Sequence, residues 1–275
     1  MARASPHPEH HRISPVFLGV LVVMALSGWV VWTGRAEITG VGVFLFVLSG
    51  WIVSLCLHEY AHARSALSAG DTSVGAKGYL TLNPLRYTHA GLSVLLPVLF
   101  VVLGGIGLPG GAVYVERGRI SRRWRQSLVS AAGPLTNVLL AILLTAPFWL
   151  DAMADVPFAF RYALAFLAML QVTAAVLNAL PVPGLDGYGA LEPWLSPRLR
   201  RRFEPYAPFG LLLVFACLWI PAVNTVFWET VGTVLEWLRV PGADVDFGYE
   251  YFRFWNGEPV VDAVDAVDAV DTVGR

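Results

Sequence analysis

Six long runs without a charged side chain constrain the fold of this sequence more than any other feature. Each run has 20 residues or more, and they occupy residues 13–34, 38–57, 90–115, 126–150, 162–185 and 205–228. A helix of about 20 residues spans a hydrocarbon core of about 30 Å. Because a helix satisfies its own backbone hydrogen bonds where water is absent, the runs predict an all-α polytopic membrane protein with about five to six membrane helices.

The composition agrees with a lipid-embedded chain. Hydrophobic residues make up 56% of the sequence and charged residues only 14%, against about 25% charged residues in a typical soluble domain. Both cysteines, Cys56 and Cys217, lie inside apolar runs. This position excludes a disulfide scaffold and a paired-cysteine zinc knuckle.

The net charge of −1 is the sum of a basic part and an acidic part of the chain. Residues 1–243 carry 17 basic and 12 acidic side chains, whereas residues 244–275 carry 2 and 8. The basic residues gather in short loops, which is the pattern of cytoplasmic loops that face anionic lipid. We therefore expect a multi-pass protein of the cell (cytoplasmic) membrane, with the lipid bilayer as a partner and no nucleic acid.

Three regions are predicted along the chain. Residues 1–14 are a polar N-terminal tail, residues 15–240 form the membrane-embedded domain, and residues 241–275 are an acidic low-complexity tail with a Val-Asp-Ala repeat. Two short segments, 79–82 and 112–115, alternate or are β-prone. They predict a small membrane-associated β element whose edge accepts an extended peptide.

A metal-binding pattern stands at the end of the second run, where the sequence reads HEYAH from His58 to His62. Residues four apart share one face of a helix, so both imidazoles can reach a single zinc ion while Glu59 meets its bound water. The alternative is that His58 and His62 are polar residues packed between helices. Buried ionisable groups in a membrane are costly unless they are paired or functional, which favours the metal site.

A zinc site with two histidines needs another protein ligand and an open position for water. Outside the N-terminal tail the remaining histidine is His89. The acidic residues that touch the apolar runs in the first 210 positions are Glu59, Asp151 and Asp186. Asp186 follows two prolines that end the fifth run, and on its own an Asp-Gly pair there is more often a turn residue or a helix N-cap.

Three motifs together resemble the site-2 protease family of intramembrane zinc metalloproteases. They are HEYAH at 58–62, AGPLTN at 132–137 and NALPVPGLDG at 178–187, and the resemblance covers roughly residues 40–230. The resemblance implies one Zn²⁺ per chain, held by protein ligands. It also implies a general base and asparagines that bind the substrate. The residues matched to these roles are His58, His62 and Asp186 as ligands, Glu59 as base, and Asn178 and Asn137 as substrate-binding residues.

The resemblance also implies an activity and a size class. The expected reaction is hydrolysis of peptide bonds within or near transmembrane segments of membrane-anchored regulatory proteins. The longest polar connection, about residues 181–207, has no room for a PDZ or CBS domain, so we expect the minimal form. The alternatives are a catalytically inactive membrane scaffold, although Glu59 is intact, and a transporter, although no repeated halves are visible.

The shared metal site restricts the topology. If every run between His62 and Asp186 crossed the bilayer, these two residues would lie on opposite faces, about 30 Å apart. The third run has a short apolar stretch interrupted by Pro97 and followed by a glycine-rich segment. We therefore predict that the third run is re-entrant and that the zinc site lies near the cytoplasmic face, next to the arginine-rich loops.

Overall fold

The computed structural model describes residues 12–34, 38–87, 95–107 and 113–256. Within these ranges the chain forms α-helices joined by short turns, several of them 3₁₀-helical. The helices are α1 (Pro15–Trp32), α2 (Thr39–Ala69), α3 (Ser73–Ala76), α4 (Leu96–Gly104), α5 (Arg123–Trp149), α6 (Phe158–Ala179), α7 (Asp186–Leu191), α8 (Pro197–Phe203), α9 (Gly210–Leu218), α10 (Pro221–Trp237) and α11 (Gly242–Phe252). The all-α polytopic class predicted from the sequence is confirmed.

Four helices, α1, α2, α5 and α6, are long and apolar enough to cross a membrane. The centre of the bundle is α6, which packs against α2, α5 and α11. Glycines allow the close helix contacts that membrane bundles favour. A Cβ at Gly50 would lie 2.7 Å from Leu167, and a Cβ at Gly28 would lie 3.1 Å from Phe46.

The sixth apolar run is not a single straight helix. It is divided into α9 and α10, which meet at a bend of 97°. Pro221 opens α10, and Ile220 before it is extended with φ −80° and ψ 118°, because a proline disfavours helical geometry in the preceding residue.

The bent pair carries the chain from one end of α6 to the other. Gly210, which opens α9, packs against Pro183 just beyond the C-terminal end of α6. At the other end of the pair, the Leu238 carbonyl accepts a 2.5 Å hydrogen bond from Trp149, the last residue of α5. Counted as one span, α9 and α10 make a fifth crossing. We call the end of the bundle that holds Asp186 the near end and the opposite end the far end.

The described part of the third run enters the bundle, but it contains no helix long enough to span a membrane. Helix α4 has nine residues, or about 13 Å. After it the chain lies so close to the interior that a Cβ at Gly107 would be 2.2 Å from the Leu170 carbonyl and 2.9 Å from Trp51. The Gly107 amide donates to Thr173 Oγ1 at 3.1 Å. This arrangement agrees with the predicted re-entrant segment.

The predicted β element is wrong. No strand occurs in the described residues, and Tyr79–Thr81 is a 3₁₀ turn between Gly78 (φ 76°) and Leu82 (φ 57°), both left-handed. All three residues of the turn are buried, so the alternation seen in the sequence does not create an exposed face. Residues 113–115 are irregular, and Ala112 lies outside the described residues.

The predicted tail boundaries also need correction. Ser14 is the N-cap of α1, and its amide donates to the Thr81 carbonyl at 2.8 Å. Residues 242–256 fold as α11 and a 3₁₀ turn, with Phe252 fully buried and Asp244 paired with Arg161 at 2.7 Å. Aromatic residues on α11 pack its inner face against α6 and α2. The acidic composition of the region does not predict this packing. Residues 1–11 and 257–275 lie outside the described residues.

Candidate active site

Helix α2 brings His58, Glu59 and His62 to its inner face. Their exposures are 5%, 3% and 8%, so all three are removed from solvent although they are ionisable. The helix continues for two turns beyond His62 before Gly70 ends it in a left-handed conformation with φ 118°. The two histidines therefore stand on a regular helical turn, which holds residues four apart on one face.

Asp186 meets the two histidines from the first position of α7. Its Oδ2 lies 3.2 Å from His58 Nε2 and 3.3 Å from His62 Nε2, and the two Nε2 atoms are 3.1 Å apart. These three atoms form a nearly equilateral triangle. We call His58, His62 and Asp186 the metal triad.

A tight reversal of the chain puts Asp186 in this place. Helix α6 ends at Ala179, and Gly184 adopts φ 94° before α7 begins. A Cβ at Gly187 would lie only 2.3 Å from the Ala179 carbonyl. The prolines in the NALPVPGLDG segment stop the helix, and the two glycines allow α7 to fold back on its end.

The triad fits a tetrahedral zinc ion. Ligands at about 2.0 Å from zinc in tetrahedral geometry are separated by about 3.3 Å, close to the three distances in the triad. The opposite ring nitrogens are also held: His58 Nδ1 is 2.6 Å from Asn137 Oδ1 and His62 Nδ1 is 2.7 Å from the Val129 carbonyl. Donation from Nδ1 to these oxygens leaves each Nε2 lone pair free for a metal, as in known zinc sites.

Gly133 allows α5 to approach the triad. A Cβ at this position would be 2.3 Å from His62 Nε2 and 2.4 Å from His58 Nε2. Any side chain would therefore occupy space between the ligand atoms. The AGPLTN segment places this glycine one turn before Asn137, so both residues act on the same site.

Glu59 lies next to the triad. Its Oε1 is 4.0 Å from His58 Nε2, and its Oε2 accepts a 3.1 Å hydrogen bond from the Val113 amide. Val113 is the first described residue of an irregular segment, residues 113–116, which we call the strap. One carboxylate oxygen thus holds the strap, and the other faces the triad.

The strap is tied to the turn that follows α2. The buried Asp71 accepts from the Glu116 amide at 2.7 Å, and Lys77 pairs with Glu116 at 3.1 Å. Hydrogen bonds from Arg119, Lys77 and Ser73 lower the pKa of Glu116 to about 2. Glu116 is therefore ionised at neutral pH, and the strap is held by charged contacts on the near end of the bundle.

The two asparagines occupy different environments. Asn178 is 3% exposed with its Nδ2 unpartnered. It lines a cavity of about 380 Å³ that also exposes Asp186 and is otherwise mostly apolar, with Pro134 and Leu135 on its wall. Asn137, at 2% exposure, has both side-chain atoms engaged, by His58 and by Gln171.

Of the other candidate ligands, Asp151 is not part of this cluster. Asp151 is exposed in the turn beyond the far end of α5 and adopts φ 51°. His89 lies outside the described residues. Among the described residues, the triad is the group in which three metal-binding side chains come together.

Several neighbours of the triad are not evident in a motif search. The Val129 carbonyl and the Val113 amide are backbone groups, which any residue type supplies, so the sequence carries no signal for them. Gln171 is different, because a glutamine in the middle of an apolar run is unusual and marks a polar contact inside the bundle.

The fold and the triad together define a multi-pass membrane metallopeptidase, and comparison with known proteins agrees. The chain is 48% identical over 257 residues to "Putative zinc metalloprotease Rip2" of Mycolicibacterium smegmatis, which covers 91% of the chain and 97% of that relative. It is 44% identical over 252 residues to the protein of the same name in Mycobacterium tuberculosis, with 90% and 96% covered. It is 26% identical over 187 residues to "Putative zinc metalloprotease YwhC" of Bacillus subtilis, with 64% and 81% covered.

The chain therefore belongs to the site-2 protease family of zinc metalloproteases, and its cofactor is zinc. The near-complete coverage of the mycobacterial relatives fits the minimal form of the family. No family model matches the chain, and no solved structure is similar enough to count as a match.

Proposed function

We propose that the protein is an intramembrane zinc endopeptidase that cleaves peptide bonds within or near the transmembrane segments of membrane-anchored regulatory proteins. The observation that carries this proposal is the metal triad with edges of 3.1–3.3 Å beside the buried carboxylate of Glu59. Two members of the triad and Glu59 lie on α2, a helix long and apolar enough to span a membrane.

Each residue has a separate task in this proposal. His58, His62 and Asp186 hold the zinc, which supplies the Lewis acidity that activates water and polarises a peptide carbonyl. Glu59 takes a proton on Oε1 during attack and returns it to the leaving amine. Its Oε2 keeps the Val113 amide as a partner, so the carboxylate stays oriented while Oε1 changes its protonation.

Asn178 is suited to hold the substrate. Its Nδ2 is buried without a partner and borders the cavity that exposes Asp186, and an unpaired buried donor is costly until it finds an acceptor. A carbonyl of an unwound substrate segment supplies that acceptor. For Asn137 we propose a different task from the substrate contact predicted above, namely orientation of His58.

A transmembrane substrate can reach the site from the lipid along the surface of α5. Leu135 and Val138 are 56% and 43% exposed on the outer surface and also line the cavity next to Asp186. A transmembrane substrate thus meets an apolar surface that leads to the site. Its helix must unwind locally, because its carbonyls are otherwise engaged in helical hydrogen bonds.

The test uses the purified protein with a model transmembrane peptide, followed by metal analysis and mass spectrometry of the products. We expect about one zinc per chain and cleavage in the wild type. Glu59→Gln should lower the cleavage rate by about 10²–10⁴-fold with zinc content unchanged. The matched control is Glu229→Gln on the exposed surface of α10, which should change neither quantity. Full cleavage by Glu59→Gln would contradict the assignment.

We also propose that the near end faces the cytoplasm of the cell membrane. Two arginine-rich segments, 117–125 and 198–202, lie at this end, where Arg117 contacts Gly189 and Arg200 contacts Pro193, as the positive-inside rule requires. After replacement of both native cysteines by alanine, single cysteines at Thr72 and Ser121 should be protected from an impermeant thiol reagent in intact cells. A cysteine at Asp155, in the exposed turn at the far end, should be labelled. Labelling of Thr72 and Ser121 from opposite sides would refute the five-span topology.

A further inference from the structure

Gln171 lies at the centre of the bundle and is connected to the metal triad through side chains alone. It is fully buried in α6. Its Oε1 accepts a 2.9 Å hydrogen bond from Asn137 Nδ2, and its Nε2 donates a 3.1 Å hydrogen bond to Ser54 Oγ. A polar side chain at such a depth needs partners, and these are found on α5 and α2.

The contacts form a chain of five groups. It runs from the Trp51 carbonyl to Ser54 Oγ at 2.8 Å, then to Gln171, to Asn137, and finally to His58 Nδ1 at 2.6 Å. The chain begins and ends on the same helix, α2, and passes through α6 and α5. All five residues are buried to 95% or more.

All contacts along this chain have one direction of donation. A backbone carbonyl only accepts, so the Ser54 hydroxyl donates to Trp51 and then accepts from the Gln171 amide nitrogen. Gln171 Oε1 therefore accepts from Asn137 Nδ2, and Asn137 Oδ1 is left to accept from His58. His58 must carry its proton on Nδ1, and its Nε2 presents a lone pair to the metal.

The reverse direction would lose one of these contacts and the metal-binding lone pair. If Asn137 donated to His58 Nδ1, then Gln171 would donate to Asn137 and Ser54 would have to donate to Gln171. The Trp51 carbonyl would then keep only the hydrogen bond of its own helix, and the His58 proton would sit on Nε2, where it blocks the metal. The orientation of Gln171 thus favours the Nδ1–H tautomer of His58 through Asn137.

We propose that Gln171 is a positioning residue that fixes the tautomer and ring orientation of His58 for zinc through Asn137. This role rests on the ligand assignment of His58 made under the proposed function. Partners of zinc-bound histidines typically contribute 10–100-fold to metal affinity. Because Gln171 acts through Asn137, we expect its removal to have an effect near the lower value.

The test measures zinc affinity by competition with a chelator, without any substrate. Gln171→Met, which keeps the length of the side chain and removes its polar atoms, should weaken zinc binding about 10-fold and broaden the visible spectrum of the Co²⁺-loaded protein. Gln171→Glu should restore near wild-type affinity, because a protonated carboxyl group donates to Ser54 and accepts from Asn137 as the amide does. The control is Thr145→Val, since Thr145 is also fully buried but its hydroxyl bonds only within α5.

A double-mutant cycle isolates the path. In an Asn137→Ala background, Gln171→Met should have no additional effect on zinc affinity, because the link to His58 is already broken. The proposal is overturned if Gln171→Met binds zinc within twofold of the wild type, if Gln171→Glu fails to restore binding, or if the two losses add. His58→Ala separates the two claims, because unchanged zinc binding in that variant refutes the ligand assignment itself.

Discussion

Helices α1 and α6 are both long and apolar, yet they lie in opposite environments. Of the apolar 18-residue stretch in each, 22% is buried in α1 and 83% in α6. Val22, Leu26 and Trp29 of α1 are 56–67% exposed, whereas Phe166 and Leu170 of α6 have no exposed surface.

The difference shows what hydropathy does and does not report. Lipid tails are as apolar as leucine, so hydrophobicity indicates that a helix leaves water but does not indicate whether its neighbours are lipid or protein. Polar residues carry that information. Ser27 of α1 donates to its own helix at Val23, whereas Gln171 and Thr173 of α6 bond to other elements.

The largest effect expected from this contrast concerns the two aspartates that touch apolar runs. Asp186→Ala in the interior should abolish detectable cleavage. It should weaken zinc binding more than the loss of a hydrogen-bond partner of a zinc ligand does, which is roughly 10–100-fold. Asp151→Ala, in the exposed turn beyond the far end of α5, should leave cleavage and zinc binding near the wild-type level. Zinc titration and the peptide assay measure the pair, and equal zinc affinity in the two variants would place the third ligand elsewhere.

Two glycines sharpen the same contrast. Gly133→Ala places a methyl group within 2.4 Å of both ligand nitrogens and should lower zinc affinity and activity at least about 10-fold, as a displaced ligand shell does. Gly19→Ala in α1 meets no atom within 4 Å and should leave activity unchanged. If both variants retain full zinc affinity, the packing of α5 against the triad is looser than described.

The smallest effect concerns leucines that touch no polar group. Leu170→Ala in α6 opens a cavity and should lower the free energy of unfolding by about 2 kcal/mol, measured by reversible unfolding in mixed detergent micelles. Leu26→Ala in α1, at 63% exposure, should change it by less than about 0.5 kcal/mol. Similar losses at the two positions would mean that α1 is covered by another surface in the membrane.

The spacing of His58 and His62 could be read from the sequence, because residues four apart share one face of a helix, whereas Asp186 was matched to the site through the family resemblance. His58, Glu59 and His62 lie on one face of α2 as expected, and the topology that brings Asp186 to them follows from the short third run. The bend before Pro221 could also have been predicted, since proline acts on the residue before it.

Other features depend on interactions that sequence patterns do not encode. The turn at Tyr79–Thr81 looks like a strand locally, but left-handed geometry at Leu82 reverses the chain. The fold of α11 was missed because its three acidic residues were grouped with the acidic repeat that follows. Its packing depends on Gly248, whose Cβ position is 2.2 Å from the Tyr162 carbonyl.

The bent pair of α9 and α10 has a practical consequence for the two termini of the chain. If the bent pair is one span, the number of crossings is odd, and residues 12 and 256 lie in different aqueous compartments. A reporter enzyme that matures only after export should thus be active when fused beyond Asn256 and inactive when fused before Arg12. The acidic end of the chain would then lie outside the cell, in a different compartment from the proposed catalytic centre near the cytoplasmic face.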